Sequence, residues 1–240
     1  MSLIIPIMKP NISTPAGGSL KTGLISCWEL DEIDGTTAYD SYGSNHGTIL
    51  NGTLINQAGK INTSYSFDGV NDYVRTLYTA QLPLQFSLSF WLAHGFAAST
   101  GFDRIICKGL SSTSGTQELF IQQNSTANVV YALIRNTSTG AYTAVTPTLT
   151  AGVFYFITVT FDGVYIRMYS NGILTGTSTA FSGVRINTTY PLIFGTSSTL
   201  QSSTFYKGKL DQVGFWDKVL DVSEMASLYN SGNGLAYINW

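Results

Sequence analysis

Residues 154–176, FYFITVTFDGVYIRMYSNGILTG, constrain this chain more than any other stretch. Ile157, Val159 and Phe161 alternate with Thr158 and Thr160. Val164, Ile166 and Met168 alternate in turn with Tyr165, Arg167 and Tyr169. A period of two is the mark of strands with one buried face. Asp162-Gly163 between the two runs predicts a two-residue type I′ turn, which needs positive φ at both positions. Asn171-Gly172 turns the chain again and predicts a third strand from Ile173, paired back on the second.

The rest of the chain suits the same class. Thr, Ser, Asn and Gly are abundant while Lys and Glu are sparse, which disfavours long surface helices and suits strands joined by polar turns. At 240 residues the chain reads as one large β domain. Charged residues make up 11% and the net charge is -2, so the basic footprint of a nucleic-acid binder is missing. Cys27 and Cys107 do not make a disulfide framework and read as free, buried thiols. The opening MSLIIPIMKP has a short apolar run broken by Pro6, with its first Lys after the run, which fits neither a signal peptide nor a membrane span. The expectation is a protein that does not insert in membranes and that reaches an extracellular site within an assembly or by lysis.

Residues 1–22 carry Pro6, Pro10 and Pro15 and then Gly17-Gly18, with no periodicity, and read as an extended N-terminal arm. The arm is either a disordered leader or a segment that buries Leu3, Ile4, Ile5, Ile7 and Met8 against a partner chain. The domain proper spans residues 23–240. GLISCWEL, SYSFDGVNDYVRT, LQFSLSFWLA, RIICKG, ELFIQQN, VVYALIRN, PLIFGT and KGKLDQVGFWDKVL supply its further strands, at the spacing of a sandwich. In LQFSLSFWLA, Phe86, Leu88 and Phe90 take one face, while Ser87, Ser89 and Trp91 take the other, which reads as open. Asp221-Val-Ser-Glu224 has capping-box spacing and starts one short terminal helix. Met225, Leu228 and Tyr229 lie on one face of it, and Gly232 is placed to stop it.

The ordered series GLISCWELDE, YDSYGSNHGTI, SYSFDGVNDYV, FSLSFWL, RIICKG, FYFITVTFDG, IRMYSNG, PLIFGT and GKLDQVGFWDKVLDVSEMASLYNSG resembles the laminin-G-like, concanavalin A-like jelly-roll family of lectins and glucanases over roughly residues 23–232. The resemblance implies an all-β, two-sheet antiparallel jelly-roll sandwich, one sheet concave and one convex. It does not settle function, because this architecture hosts lectins, hydrolases, lyases and structural modules.

Catalysis finds little support. A glucanase needs two carboxylates flanking a sugar bond, and the Glu-x-Asp-x-x-Glu series of laminarinase-type members does not occur. Arg167 with Tyr165 and Tyr169 is a faint version of a lyase constellation, and His46 and His94 have no triad spacing. The reading is not an enzyme. Relatives of the fold hold one structural calcium ion, and the positions that match their ligands are Asp211, Gly69 and the neighbourhood of Glu29 and Asp31. Alternation puts Asp211 on the face of Val213 and Phe215, where a cation, a salt bridge or a cage of backbone amides must answer its charge. For glycans, the stacking candidates are Trp91, Tyr165, Arg167 and Tyr169 on the concave face and Trp216 on the outward side of the last strand.

These readings converge on a non-catalytic jelly-roll at the surface of a bacteriophage virion: a head fibre, decoration protein or tail-associated adhesin. Its expected partners are host-surface glycans, other virion subunits reached through the arm, and further copies of itself. The alternative is an extracellular carbohydrate-binding module or lectin of a secreted bacterial protein, with a glycoside hydrolase or polysaccharide lyase third. Six Asn-x-Ser/Thr sequons, at Asn11, Asn51, Asn62, Asn124, Asn136 and Asn187, read as chance in so Asn-, Ser- and Thr-rich a chain.

Overall fold

The computed structural model describes residues 19–95, 102–110, 116–124, 128–138 and 140–240. The apolar run Leu3–Met8 and most of the expected arm lie outside them. In chain order the strands are β1 (Leu24–Trp28), β2 (Thr37–Ala38), β3 (Gly47–Leu50), β4 (Leu54–Ala58), β5 (Thr63–Asp68) and β6 (Tyr73–Thr76). There follow β7 (Phe86–His94), β8 (Phe102–Gly109), β9 (Gln117–Asn124), β10 (Val129–Arg135) and β11 (Ala141–Val145). Last come β12 (Tyr155–Phe161), β13 (Ile166–Ser170), β14 (Ile173–Thr177), β15 (Leu192–Phe194), β16 (Lys207–Trp216) and the helix α1 (Val222–Tyr229).

All these strands pair antiparallel, in two sheets. The first runs β14-β13-β12-β7-β16-β5-β4, with β1 also on β16; the second runs β11-β10-β9-β8-β15-β6-β3-β2. β16, the last strand, is threaded into the middle of the first sheet between β7 and β5, so the sheet closes only when residues far apart in sequence meet. Between the sheets lies the main core. Phe86, Leu88 and Phe90 of β7, Ile157 and Val159 of β12 and Phe215 of β16 face Ile106, Leu119, Ile121, Ile134 and Phe194 of the second sheet. Each such side chain contributes about 1.5 to 3 kcal/mol by leaving water. The edges β14 and β11 also meet, with Thr175 Oγ1 donating to the Val145 carbonyl.

The two turns of the 154–176 stretch differ from each other. At Asn171-Gly172 both residues have positive φ, +53° and +79°, and Ser170 pairs with Ile173, as a type I′ hairpin requires. At Asp162-Gly163 only Gly163 does, at +93°, and the pairing stops at Phe161 and Ile166, leaving a four-residue loop. The reason is the Asp162 carboxylate. Its Oδ1 accepts from the amides of Val164 (2.8 Å) and Tyr165 (2.7 Å), a local cap that outcompetes the tighter turn. Tyr165 and Val164 therefore belong to the loop and not to a strand face.

The helix starts as its sequence predicts. Glu224 N donates to Asp221 Oδ1 at 2.8 Å and Asp221 N to Glu224 Oε2 at 3.0 Å, a complete capping box. It stops earlier than Gly232, at Asn230, whose left-handed backbone forms the cap. Met225 and Leu228 are buried against the outer face of the first sheet. That face, which reads as open in sequence, carries a second core: Trp91, Phe156 and Trp216 lie under Leu220, Met225, Leu228 and the C-terminal Leu235, Tyr237 and Trp240. Leu20 also packs there, and its carbonyl accepts from Trp216 Nε1 at 2.7 Å, so the packed domain takes in residues 19–22 that the sequence assigns to the arm.

Candidate functional site

The aromatic cluster expected on the first sheet does not form an open surface. Trp91 is 2% exposed and Trp216 is fully buried. Trp91 stacks on Tyr229 of α1 (5.9 Å, 27°) and packs on Phe156 (5.3 Å), with the Lys60 ammonium over its ring at 5.2 Å. Trp216 stacks on Trp240 (5.3 Å, 23°). Neither ring has a face left for a sugar. The sequence reading missed this because helix and tail cover the sheet from outside, which the alternation within strands cannot reveal. Tyr169 is half-buried against the same second core. Arg167 is half-buried too, lies over Tyr165 at 5.1 Å, and is paired with Asp162, which raises the guanidinium above its ordinary value and lowers the Asp162 carboxyl.

Of the residues matched to a calcium site, Asp211 and Asp31 hold the same segment, 60–63, and the Glu29 carbonyl accepts from Gln212 N at 3.1 Å; Gly69 lies apart from them. Gly69 sits at the β5–β6 turn against Lys207, while Asp211 pairs in register with Trp91. Glu29 Oε1 accepts from Ser41 Oγ, and Asp31 from Thr63 N and Asn62 Nδ2. Asp211 points to the outer face with Trp91 and not inward with Val213 and Phe215, because a bulge at Gln212, where φ is +45°, shifts the register between them. Its Oδ2 accepts from the amides of Lys60 (2.6 Å) and Ile61 (2.8 Å). Oδ1 is buried without a partner among the described residues. Burial pushes this carboxyl up to about 8, against the pull of the two amides. Among the described residues no three His, Cys, Asp or Glu side chains converge on a metal-sized site. Asp211, with its unanswered Oδ1, and the neighbouring Asp31 are the matched residues that could still face a cation, while Gly69 lies away from them.

Two clefts are lined by described residues. One, of about 360 Å³, is lined by Phe67, His94, Phe154, Lys207 and Lys209 among others and has no carboxylate. A second, of about 330 Å³, lined by Leu84, Phe161, Phe181 and Arg185 among others, has only Asp162. His94 is 1% exposed; Nε2 faces the Leu149 carbonyl at 3.2 Å and so carries the proton, leaving Nδ1 to accept from Gln123 Nε2 at 3.4 Å. Burial pushes the Cys107 thiol up to about 12 and raises that of Cys27 as well, so neither of these free cysteines is a ready nucleophile.

The outer face of the second sheet is different. Registers across β8, β9, β10 and β11 align Arg104, Gln122, Tyr131 and Val145 in one row. The next rows hold Phe102, Asn124 and Val129 on one side and Cys107, Phe120 and Leu133 on the other. Cys107, Phe120 and Leu133 form a buried apolar floor separate from the main core. Over it lies Arg104, its guanidinium 4.9 Å from the Phe120 ring and 5.8 Å from the Phe102 ring, both within cation–π range. Arg104 Nη1 donates to Gln122 Oε1, and Nε is buried without a hydrogen-bond partner among the described residues. Phe102, 42% exposed, meets Tyr131 edge-on at 6.1 Å. Burial lowers the Arg104 guanidinium below its ordinary value, yet an arginine keeps its charge in a protein. Exposed and half-exposed rings beside an amide and a fixed guanidinium can stack on a flat ligand while giving it directional donors.

A laminin G family model, described as concanavalin A-like lectin/glucanases superfamily, matches residues 68–226. The chain belongs to that superfamily. A sequence comparison with curated proteins found no match. Among solved structures, this superfamily member is similar to the binding domain of paraclostridial mosquitocidal protein 1, with a TM-score of 0.69 at 15% identity over 89% of this chain and 53% of that one. It is similar to the ligand binding domain of botulinum neurotoxin serotype D, in complex with N-acetylneuraminic acid, with a TM-score of 0.70 at 12% identity over 87% of this chain and 51% of that one. Trypanosoma rangeli sialidase gives 0.64 at 14% identity, over 90% of this chain and 34% of that one. At these identities the likeness is one of fold, and the chain spans a third to a half of the length of these proteins.

Proposed function

We propose that this superfamily member is a non-catalytic glycan-binding module whose binding surface is the outer face of the second sheet, around Phe102, Arg104, Gln122 and Tyr131. The observation that carries the reading is Arg104, laid on an aromatic floor, held there by Gln122 and set beside the exposed ring of Phe102. Superfamily membership supports a lectin-like role, and the neurotoxin domain of shared fold is in complex with a sugar. The non-catalytic part is supported by the two described clefts, neither of which has two carboxylates. A glycan array tests the reading: the full chain should bind a subset of glycans, and Tyr131→Ala and Phe102→Ala should each weaken that binding by about ten-fold or more. Binding that both variants retain in full contradicts it.

The module's place at the surface of a virion, with residues 1–18 as its attachment to other subunits or copies, belongs to the same proposal. The apolar run Leu3, Ile4, Ile5, Ile7 and Met8 supports it, since such a run gains by burial in a partner. A chain lacking residues 1–18 that keeps the full chain's oligomeric state speaks against attachment through that segment.

A further inference from the structure

We infer that the second sheet's outer face selects glycans bearing a carboxylate, with Arg104 as the residue that receives it. The inference rests on the binding surface proposed above and adds the class of sugar. It comes from how charge is distributed. The chain as a whole has 14 acidic and 12 basic side chains. The second sheet's strands carry only two carboxylates, Asp103 and Glu118, and both are buried at 1% or less. Asp103 pairs with Gln123, in line with the core residue Val130, so it faces the interior. Glu118 is bound to the buried Lys108 at 3.0 Å. The outward positions instead carry Arg75, Arg104 and Arg135, since Arg75 pairs with Ile193, which pairs with Cys107 of the outer floor. An acidic chain thus presents on this face a set of cations and no strand carboxylate.

Geometry singles out Arg104 within that set. A guanidinium receives a carboxylate bidentately along an edge made of two N–H groups. Nη1 gives one N–H to Gln122 and Nε lies buried below the surface, so the outer edge, made by the second Nη1 N–H and Nη2, is the one a carboxylate would meet. The rings of Phe102 and Phe120 hold the guanidinium plane, so little side-chain freedom remains to be lost on binding. Phe102 and Tyr131 then flank the place where the sugar ring would lie.

The test uses the full chain and titrates it calorimetrically with polygalacturonate and polysialic acid, with the same polymers after reduction of each carboxylate to an alcohol, and with dextran sulfate. At least one native polymer should bind about ten-fold or more tighter than its reduced form. Arg104→Gln and Arg104→Lys should erase that difference, Lys because it offers a point charge in place of an edge, while Arg75→Gln on the same face should keep it. Melting curves establish that the variants are folded, and Arg104→Lys retains the charge should Arg104→Gln fail to fold. Equal binding of native and reduced polymers, still lost in Tyr131→Ala, overturns the carboxylate inference and leaves the glycan surface standing. Preference for dextran sulfate, or an equal loss in Arg75→Gln, also overturns it. No binding to any polymer or arrayed glycan overturns both readings.

Discussion

The guanidinium of Arg104 lies 4.9 Å from the centre of the Phe120 ring, on the side of the second sheet that faces away from the core. This pairing distinguishes the two outer faces of the sandwich. On the first sheet the aromatics are already stacked on one another beneath α1; on the second, an aromatic floor carries a cation held by Gln122 beside the exposed Phe102. A ligand surface belongs where rings and polar groups are fixed but left uncovered.

The buried ion pair of Lys108 and Glu118 fastens the second sheet to the loops that leave it. Lys108 Nζ donates to the carbonyls of Thr188 (2.7 Å) and Tyr190 (2.9 Å), and Glu118 accepts from the amides of Leu82 and Thr188, both at 3.0 Å. Burial lowers the Lys108 ammonium while Glu118 opposes the shift. Glu118→Ala leaves that ammonium uncompensated and should lower the unfolding free energy by about 3 to 5 kcal/mol, read by urea denaturation. A loss under ~1 kcal/mol would mean that water reaches the pair.

Asp211 should make the domain less stable as pH rises. Its folded pKa of about 8 lies above the unfolded value near 3.8, so folding favours the protonated form. That contribution is fully present below pH 3.8 and is lost as pH climbs through about 8. Melting temperature should fall between pH 5 and pH 8 in the wild type and fall less in Asp211→Asn, whose Oδ1 can still accept from Lys60 and Ile61. A cation on the Asp211 Oδ1 would instead keep the carboxylate charged, and a chelator would then lower the wild-type melting temperature; without one, the chelator leaves the curve unchanged. Parallel pH profiles, or a drop in melting temperature on chelation, contradict this reading.

How far the sequence reaches is visible in individual residues. The first and third strands of 154–176, the Asn171-Gly172 turn and the Asp221 capping box depend on local chemistry, and each forms where its pattern places it, while the second strand starts two residues late, at Ile166. The Asp162-Gly163 turn fails because a side-chain cap competes with the backbone preference, and the face of Asp211 fails because one bulge at Gln212 reverses the alternation. β2, β3, β4 and β11 escape the reading because short strands such as LINQA and AYTAV carry weak apolar patterns. The Arg104 row was missed for another reason. β8 to β10 are apolar on both faces, with Cys107, Phe120 and Leu133 outside and Ile106, Ile121 and Ile134 inside, so no polar side stands out. The one signal available was Gln122 and Asn124 at a spacing of two, in line with Phe120.

The start of the packed domain gives a further prediction. Removing residues 1–18 should leave the urea midpoint nearly unchanged. Removing residues 1–22 should cost about 2 to 4 kcal/mol, because it takes away the buried Leu20 and the carbonyl that receives Trp216 Nε1. Equal stability of the two truncated chains would place the boundary after Leu20.

The most direct measurement is the amide hydrogen-exchange footprint of the full chain saturated with its tightest glycan from the array. Binding at the Arg104 surface should slow exchange in peptides covering 102–110, 116–124 and 129–135, and leave those covering 166–177 and 222–240 unchanged. Protection confined to β13 and α1, or to the clefts lined by Lys207 or Phe181, would contradict the account.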